Sequence, residues 1–136
     1  MRSIILATAI RLLIPVFLLF SVYLFFRGHD EPGGGFIAAL VTSIGFLFHM
    51  IALSKKETMK LYGVSTYALM GLGLGAVLLS AVLPLLLGYN LLEAQWLNFE
   101  LPFIGKLGTP ILFDLGVYLL VLGVILTIAF TLFEDE

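Results

Sequence analysis

Four long apolar runs separated by short polar breaks set the pattern of this chain: about Ile4–Phe26, Gly34–Leu53, Val64–Leu87 and Ile111–Phe133. Each reaches the ~20 residues that a helix needs to cross ~30 Å of hydrocarbon at 1.5 Å per residue. The runs are continuous, without the alternation that membrane strands would show. Lipid offers backbone groups no hydrogen bonds, so such segments must be helical. The pattern therefore predicts an all-α membrane protein: a single four-helix transmembrane domain over residues 1–136. The first run is too long for a signal-peptide core and no small-residue cleavage site follows it, so it reads as a retained helix.

The breaks are as informative as the runs. Between the first two lies Arg27-Gly28-His29-Asp30-Glu31-Pro32-Gly33-Gly34-Gly35-Phe36, with four glycines, a proline and four charged or titratable residues in ten positions. Between the second and third, Ser54–Gly63 is a short polar loop. The connection Gly88–Pro110 is longer and not plainly hydrophilic. From Leu97 to Phe103 its apolar residues alternate with Asn98, Glu100 and Pro102, which predicts an extended edge segment in a structured outer loop. Tyr89 and Trp96 suit a membrane surface.

An even number of crossings puts both termini and the Ser54–Gly63 loop on one side. That side collects Arg2, Lys55, Lys56 and Lys60, against Arg27 and Lys106 on the other. The positive-inside rule then places both termini in the cytoplasm.

Composition narrows the class further. The 136 residues are 61% hydrophobic and only 12% charged, and mean hydropathy is +1.15, whereas soluble domains run near 45–50% apolar and about 25% charged. The net charge of −2 suggests no nucleic-acid partner, and with no cysteine there is no disulfide or thiolate chemistry.

Few polar residues interrupt the runs. Arg11 sits about 10 Å inside the first helix, where it either snorkels to the cytoplasmic surface or pairs with an acid on a neighbouring chain. His49 lies at about the same level. It could relay protons, but the preferred reading is an imidazole hydrogen-bonded to a neighbouring helix. Pro15 is expected to kink the first helix and Pro84 to kink or end the third. Gly71-Leu72-Gly73-Leu74-Gly75-Ala76 matches a dinucleotide fingerprint only as text, because no strand precedes it. Gly71 and Gly75 read instead as a close-packing helix face. Thr109-Pro110 is expected to cap and open the last helix. Asp114, about a turn further in, is either a structural acid that holds the outer loops, Arg27 included, or part of a cation path. It lies ~20 Å from the level of Arg11.

No cofactor loop, metal-ligand spacing or catalytic set is present, so no enzyme, no cofactor and no metal site is expected. A stand-alone four-helix transporter working as a homodimer is the alternative to a subunit of a larger assembly. Such a transporter needs an acid near mid-depth, and Asp114 is shallow.

The string Gly28-His29-Asp30-Glu31-Pro32-Gly33-Gly34-Gly35-Phe36 resembles the hallmark of the B subunit of Mrp/Mnh-type multisubunit Na+/H+ antiporters. A second match is Gly108-Thr109-Pro110 leading into Phe113-Asp114-Leu115-Gly116-Val117-Tyr118-Leu119. Length and helix count agree over essentially the whole chain. Asp30 replaces an expected Asn, and Ala38-Ala39 stand where the family often has glycines. The resemblance implies a small component of a bacterial or archaeal cytoplasmic-membrane antiporter. That component is needed for assembly with the other membrane subunits that exchange Na+ for H+. It also implies functional sensitivity at Pro32 and Phe36, with His29, Gly33, Gly34 and Gly35 as the surrounding motif and Asp114 as the motif acid of the fourth helix. The glycine-rich turn itself reads as a docking corner against partner subunits rather than a direct ion site.

Overall fold

A computed structural model describes residues 4–27, 34–62, 65–91, 96–101 and 105–133. In chain order the elements are α1 (Ile4–Arg27), α2 (Gly34–Ala52), α3 (Lys55–Tyr62), α4 (Thr66–Leu86), β1 (Trp96–Leu101), β2 (Gly105–Gly108) and α5 (Thr109–Leu132). Four of these, α1, α2, α4 and α5, are long and apolar enough to span a membrane. They match the expected spans to within two residues at each end.

The helices pack in the order α1–α2–α5–α4; α1–α2 and α4–α5 are antiparallel pairs, whereas α2 and α5 run parallel. The arrangement is closer to a row than to a closed bundle. The inner helix α2 has 56% of its apolar window buried, whereas the edge helices α1 and α4 have 22% and 17%. Two apolar clusters hold the row. One joins Ala39, Phe46 and Met50 of α2 to Leu122, Leu126, Ala129 and Phe130 of α5. The other joins Ile10 and Ile14 of α1 to Ala52 and Leu53 at the end of α2.

Small residues set how closely the helices approach. A Cβ on Gly73 of α4 would strike the Leu120 backbone and lie 2.6 Å from the Gly116 carbonyl oxygen. A Cβ on Gly116 would in turn lie 2.7 Å from the Gly73 carbonyl oxygen. The expected Gly71/Gly75 face is not the one used, since neither glycine has any atom within 4 Å of where a Cβ would be. Gly73 lies about 200° around the helix from both, given 100° per residue, so only one of the two glycine faces can meet α5.

The segment expected as a loop at Ser54–Gly63 is mostly the short helix α3. Ser54 explains it: its hydroxyl accepts from the Glu57 backbone N–H at 3.1 Å, in a Ser-x-x-Glu capping spacing. At the far end of α4, Pro84 lies within the helix three residues before its C-cap, Leu87. The Gly88 N–H donates to the Leu85 carbonyl at 3.2 Å and the Tyr89 N–H to the Pro84 carbonyl at 2.8 Å. These are the two bonds of a Schellman motif, and Gly88 takes the required left-handed φ of 89°.

The extended edge expected near Leu97–Phe103 is strand β1, paired antiparallel with β2 and irregular between Trp96 and Glu100; residues 102–104 lie outside the described residues. Strand β2 runs directly into α5. Gly108, with φ −173°, is therefore the N-cap, and it makes no side-chain capping bond. Thr109 is the first helical residue rather than the cap, and Pro110 sits in the first turn, where its missing N–H costs nothing.

Candidate functional site

The two sequence motifs meet at one end of the row. Gly35, in the first turn of α2, packs against Asp114, in the second turn of α5. A Cβ on Gly35 would overlap the Asp114 carbonyl oxygen and lie 2.8 Å from its carbonyl carbon. Gly34 and Gly35 are both buried, while Phe36 is 46% exposed and points away from the chain's own core. Asp114 is half-buried. His29, Pro32 and Gly33 lie outside the described residues, as does the Arg27 side chain, so its expected pairing with Asp114 lies there too.

One turn along α5 and two along α2 from this joint, the seam carries a hydroxyl pair that the sequence reading missed. Thr42 donates to the Ala38 carbonyl at 3.0 Å, which uses its only proton. The 2.9 Å contact with the Tyr118 hydroxyl is therefore donated by Tyr118. Tyr118 is four residues beyond Asp114, so the two occupy one face of α5. That spacing was the available signal. Tyr118 also packs edge-on against Phe25 of α1, with centroids 6.2 Å apart. Beside it, an apolar groove of about 230 Å³ is lined by Ser21, Val22, Phe25, Phe26, Leu115 and Tyr118.

The hydroxyls of Ser21, Ser80, Thr127 and Thr131 each donate to a carbonyl one turn back in their own helix. This satisfies them without water. Ser43 is the exception: its hydroxyl is buried and has no partner among the described residues.

The other polar cluster is at the opposite end. His49, 6% exposed, contacts the fully buried Thr58 of α3 through Nδ1···Oγ1 at 2.7 Å. Thr58 donates its proton to the Ser54 carbonyl at 2.9 Å, so His49 must donate from Nδ1, which leaves its acceptor lone pair on Nε2. This supports the preferred expectation of a hydrogen-bonded imidazole, although the partner is the short α3 rather than another spanning helix. Arg11 is exposed on α1, at the level of the last turn of α2, because its neighbours Ile10 and Ile14 share a cluster with Ala52 and Leu53. Arg11 and Asp114 thus lie at opposite ends of the row. No group of three or more His, Cys, Asp or Glu residues that could hold a metal occurs among the described residues.

The sequence that builds this arrangement is similar to known proteins. A family model described as a domain related to the MnhB subunit of Na+/H+ antiporter matches residues 5–127. The B subunit of the Na+/H+ antiporter of Bacillus subtilis is 40% identical over 137 residues, covering 99% of this chain and 96% of that protein. The corresponding B subunit of Alkalihalophilus pseudofirmus is 35% identical, over 99% of this chain and 95% of its own length. The antiporter subunit mnhB2 of Staphylococcus aureus is 32% identical, over 96% and 94%. The matched span includes Gly35, Thr42, His49, Asp114 and Tyr118, the residues that build both polar clusters, and the chain belongs to the MnhB family of antiporter subunits.

Proposed function

We infer that this chain is a membrane subunit of a multisubunit Na+/H+ antiporter in a bacterial cytoplasmic membrane, acting only together with other membrane subunits. Family membership carries this reading, and the row architecture supports it. Two edge helices that bury about a fifth of their apolar windows or less leave broad faces for neighbouring helices as well as lipid. The alternative of a stand-alone homodimeric transporter draws no support from the family match, which is to a subunit. The positive-inside rule, applied to Lys55, Lys56 and Lys60 of α3, sets the α3 end and both termini in the cytoplasm. The Gly35–Asp114 joint then faces outward.

In this role the Gly35–Asp114 joint aligns α2 with α5, and the exposed Phe36 beside it reaches a partner subunit. The Asp114 carboxylate sits near the positive end of α5, which favours its charged form. It belongs either to the joint or to the cation path, and Asp114→Asn separates the two. On a cation path, the substitution lowers Na+/H+ exchange in vesicles while the complex still assembles. A purely structural acid shows lost assembly instead. The subunit reading itself is tested by purifying the tagged chain in mild detergent. Several other membrane proteins should accompany it, and a homogeneous homodimer with its own transport activity in liposomes would overturn the reading.

A further inference from the structure

Among the described residues of the four spanning helices, His49 is the one side chain that ordinarily changes charge near neutral pH. It stands in the last turn of α2, buried against α3. Neither the Gly35–Asp114 joint nor a cation path through Asp114 uses it.

Its hydrogen bonds decide which ring nitrogen can act. The Thr58 hydroxyl commits its proton to the Ser54 carbonyl, so Nδ1 is held as a donor to Thr58. That bond survives in either charge state, because an imidazolium also carries a proton on Nδ1. Nε2 can therefore gain and lose a proton while α3 stays pinned to α2. An amide side chain could donate to Thr58 as well as His49 does. A group that keeps the pin through a cycle of protonation has to be an imidazole.

Charges of both signs reach the ring from the elements beside it. Arg11 of α1 opposes a positive imidazole and Glu57 of α3 favours one, and both lie close enough to act on His49 electrostatically. The remaining charges of α3 are Lys55, Lys56 and Lys60, of which Lys60 meets Glu57 at 3.7 Å. That contact is exposed and therefore weak, so Glu57 remains able to answer a charge on the ring. From α5, the residues clustered on this end of α2 are Leu126, Ala129 and Phe130, all apolar.

We propose, resting on the subunit reading in which H+ is a transported ion, that His49 is a proton-binding residue of the antiporter, loading H+ at Nε2 while Nδ1 remains bonded to Thr58. One proton bonds to Nε2, the ring gains one positive charge, and the same proton leaves to water. No other covalent bond forms or breaks. Glu57 is the counter-charge of the loaded ring, and Arg11 favours its unloading.

The test uses the complex purified through this chain, with its histidine rings labelled with nitrogen-15. The His49 signals are assigned by their loss in His49→Asn. Nε2 should pass from acceptor to protonated form within about pH 5–8, with Nδ1 protonated throughout. Arg11→Gln should move the midpoint up and Glu57→Gln should move it down, each by about half a unit to one unit. A residue that only pins α3 would show neither shift. In vesicles, His49→Asn keeps a donor where Nδ1 was but has nothing to titrate. It should lose the pH dependence of Na+/H+ exchange over that window, with α3 amides as protected from exchange as in the parent. A ring that keeps one charge state across the window overturns the proposal, as does an unchanged pH profile in His49→Asn. If His49→Asn does not assemble, the two midpoint shifts decide, and their absence overturns the proposal. Failure of the unaltered chain to bring other membrane proteins with it overturns the subunit reading instead, so the two failures are distinguishable.

Discussion

Replacing Gly35 with alanine tests whether the contact between the two motifs is a real constraint. The added methyl would overlap the Asp114 carbonyl oxygen and sit 2.8 Å from its carbon and 3.1 Å from its Cα. Carbon atoms pack without strain near 3.5–4.0 Å, so the carbon contacts alone require α2 and α5 to separate by about 0.7–1.2 Å at this end, and the overlap with the oxygen requires at least as much. The obstructing atoms are backbone, so no side-chain rotamer change can relieve the clash. Overpacking of this kind costs about 1–3 kcal/mol, a factor of roughly 5 to 150 in a folding or docking equilibrium. The gain in helix propensity from Gly to Ala, at most about 1 kcal/mol in a helix interior, offsets only part of it. Thermal unfolding of the purified chain, followed by tryptophan fluorescence or helical circular dichroism, should show a lowered midpoint. Gly71→Ala, with open space around the site, serves as the control and should leave the midpoint unchanged or slightly raised. If Gly35→Ala were as stable as the parent and supported full antiport in vesicles, α2 and α5 could not meet at Gly35 and Asp114.

Other substitutions probe the remaining contacts. Gly73→Ala should destabilise the α4–α5 pair by about 1–3 kcal/mol, visible as early loss of protection in both helices by hydrogen exchange. Ser54→Ala removes the cap of α3 at a cost of about 1 kcal/mol, so α3 amides should exchange faster while those of α2 do not. Thr58→Val leaves His49 Nδ1 without its acceptor, and a buried unpaired donor costs about 1–3 kcal/mol; limited proteolysis between α2 and α4 should accelerate. Ser43→Ala removes a buried hydroxyl that has no partner among the described residues. It should raise the thermal midpoint, by an amount corresponding to about 1 kcal/mol.

The four spans were legible because each apolar run stands alone and lipid permits only one answer for its backbone. The link between the motifs was not. Gly35 and Asp114 lie far apart in the chain, and nothing in one sequence says which glycine will sit on which carbonyl. Between Gly71, Gly73 and Gly75 the GxxxG spacing pointed to the outer pair, but spacing marks a face without saying which helix will cover it. Helix α3 could have been found, because Ser54-Lys55-Lys56-Glu57 carries a capping signature. Its polarity in an otherwise apolar chain read as loop instead. Asp114 and Tyr118, one turn apart, marked a polar face on α5, and the hydroxyl that answers it, Thr42, was hidden in an apolar run. The glycine-rich turn could be placed between α1 and α2 by counting alone. The structure describes only its last part, from Gly34 onward, and this is the part that packs on Asp114.

Gly108 is both the last residue of β2 and the N-cap of α5. No linker separates the hairpin from the helix, so there is no slack between them. A push that tilts the hairpin would act as torque on the first turns of α5, where Asp114 sits. The hairpin is thus mechanically a handle on the Gly35–Asp114 joint. A neighbouring protein gripping it could adjust the joint without touching either residue.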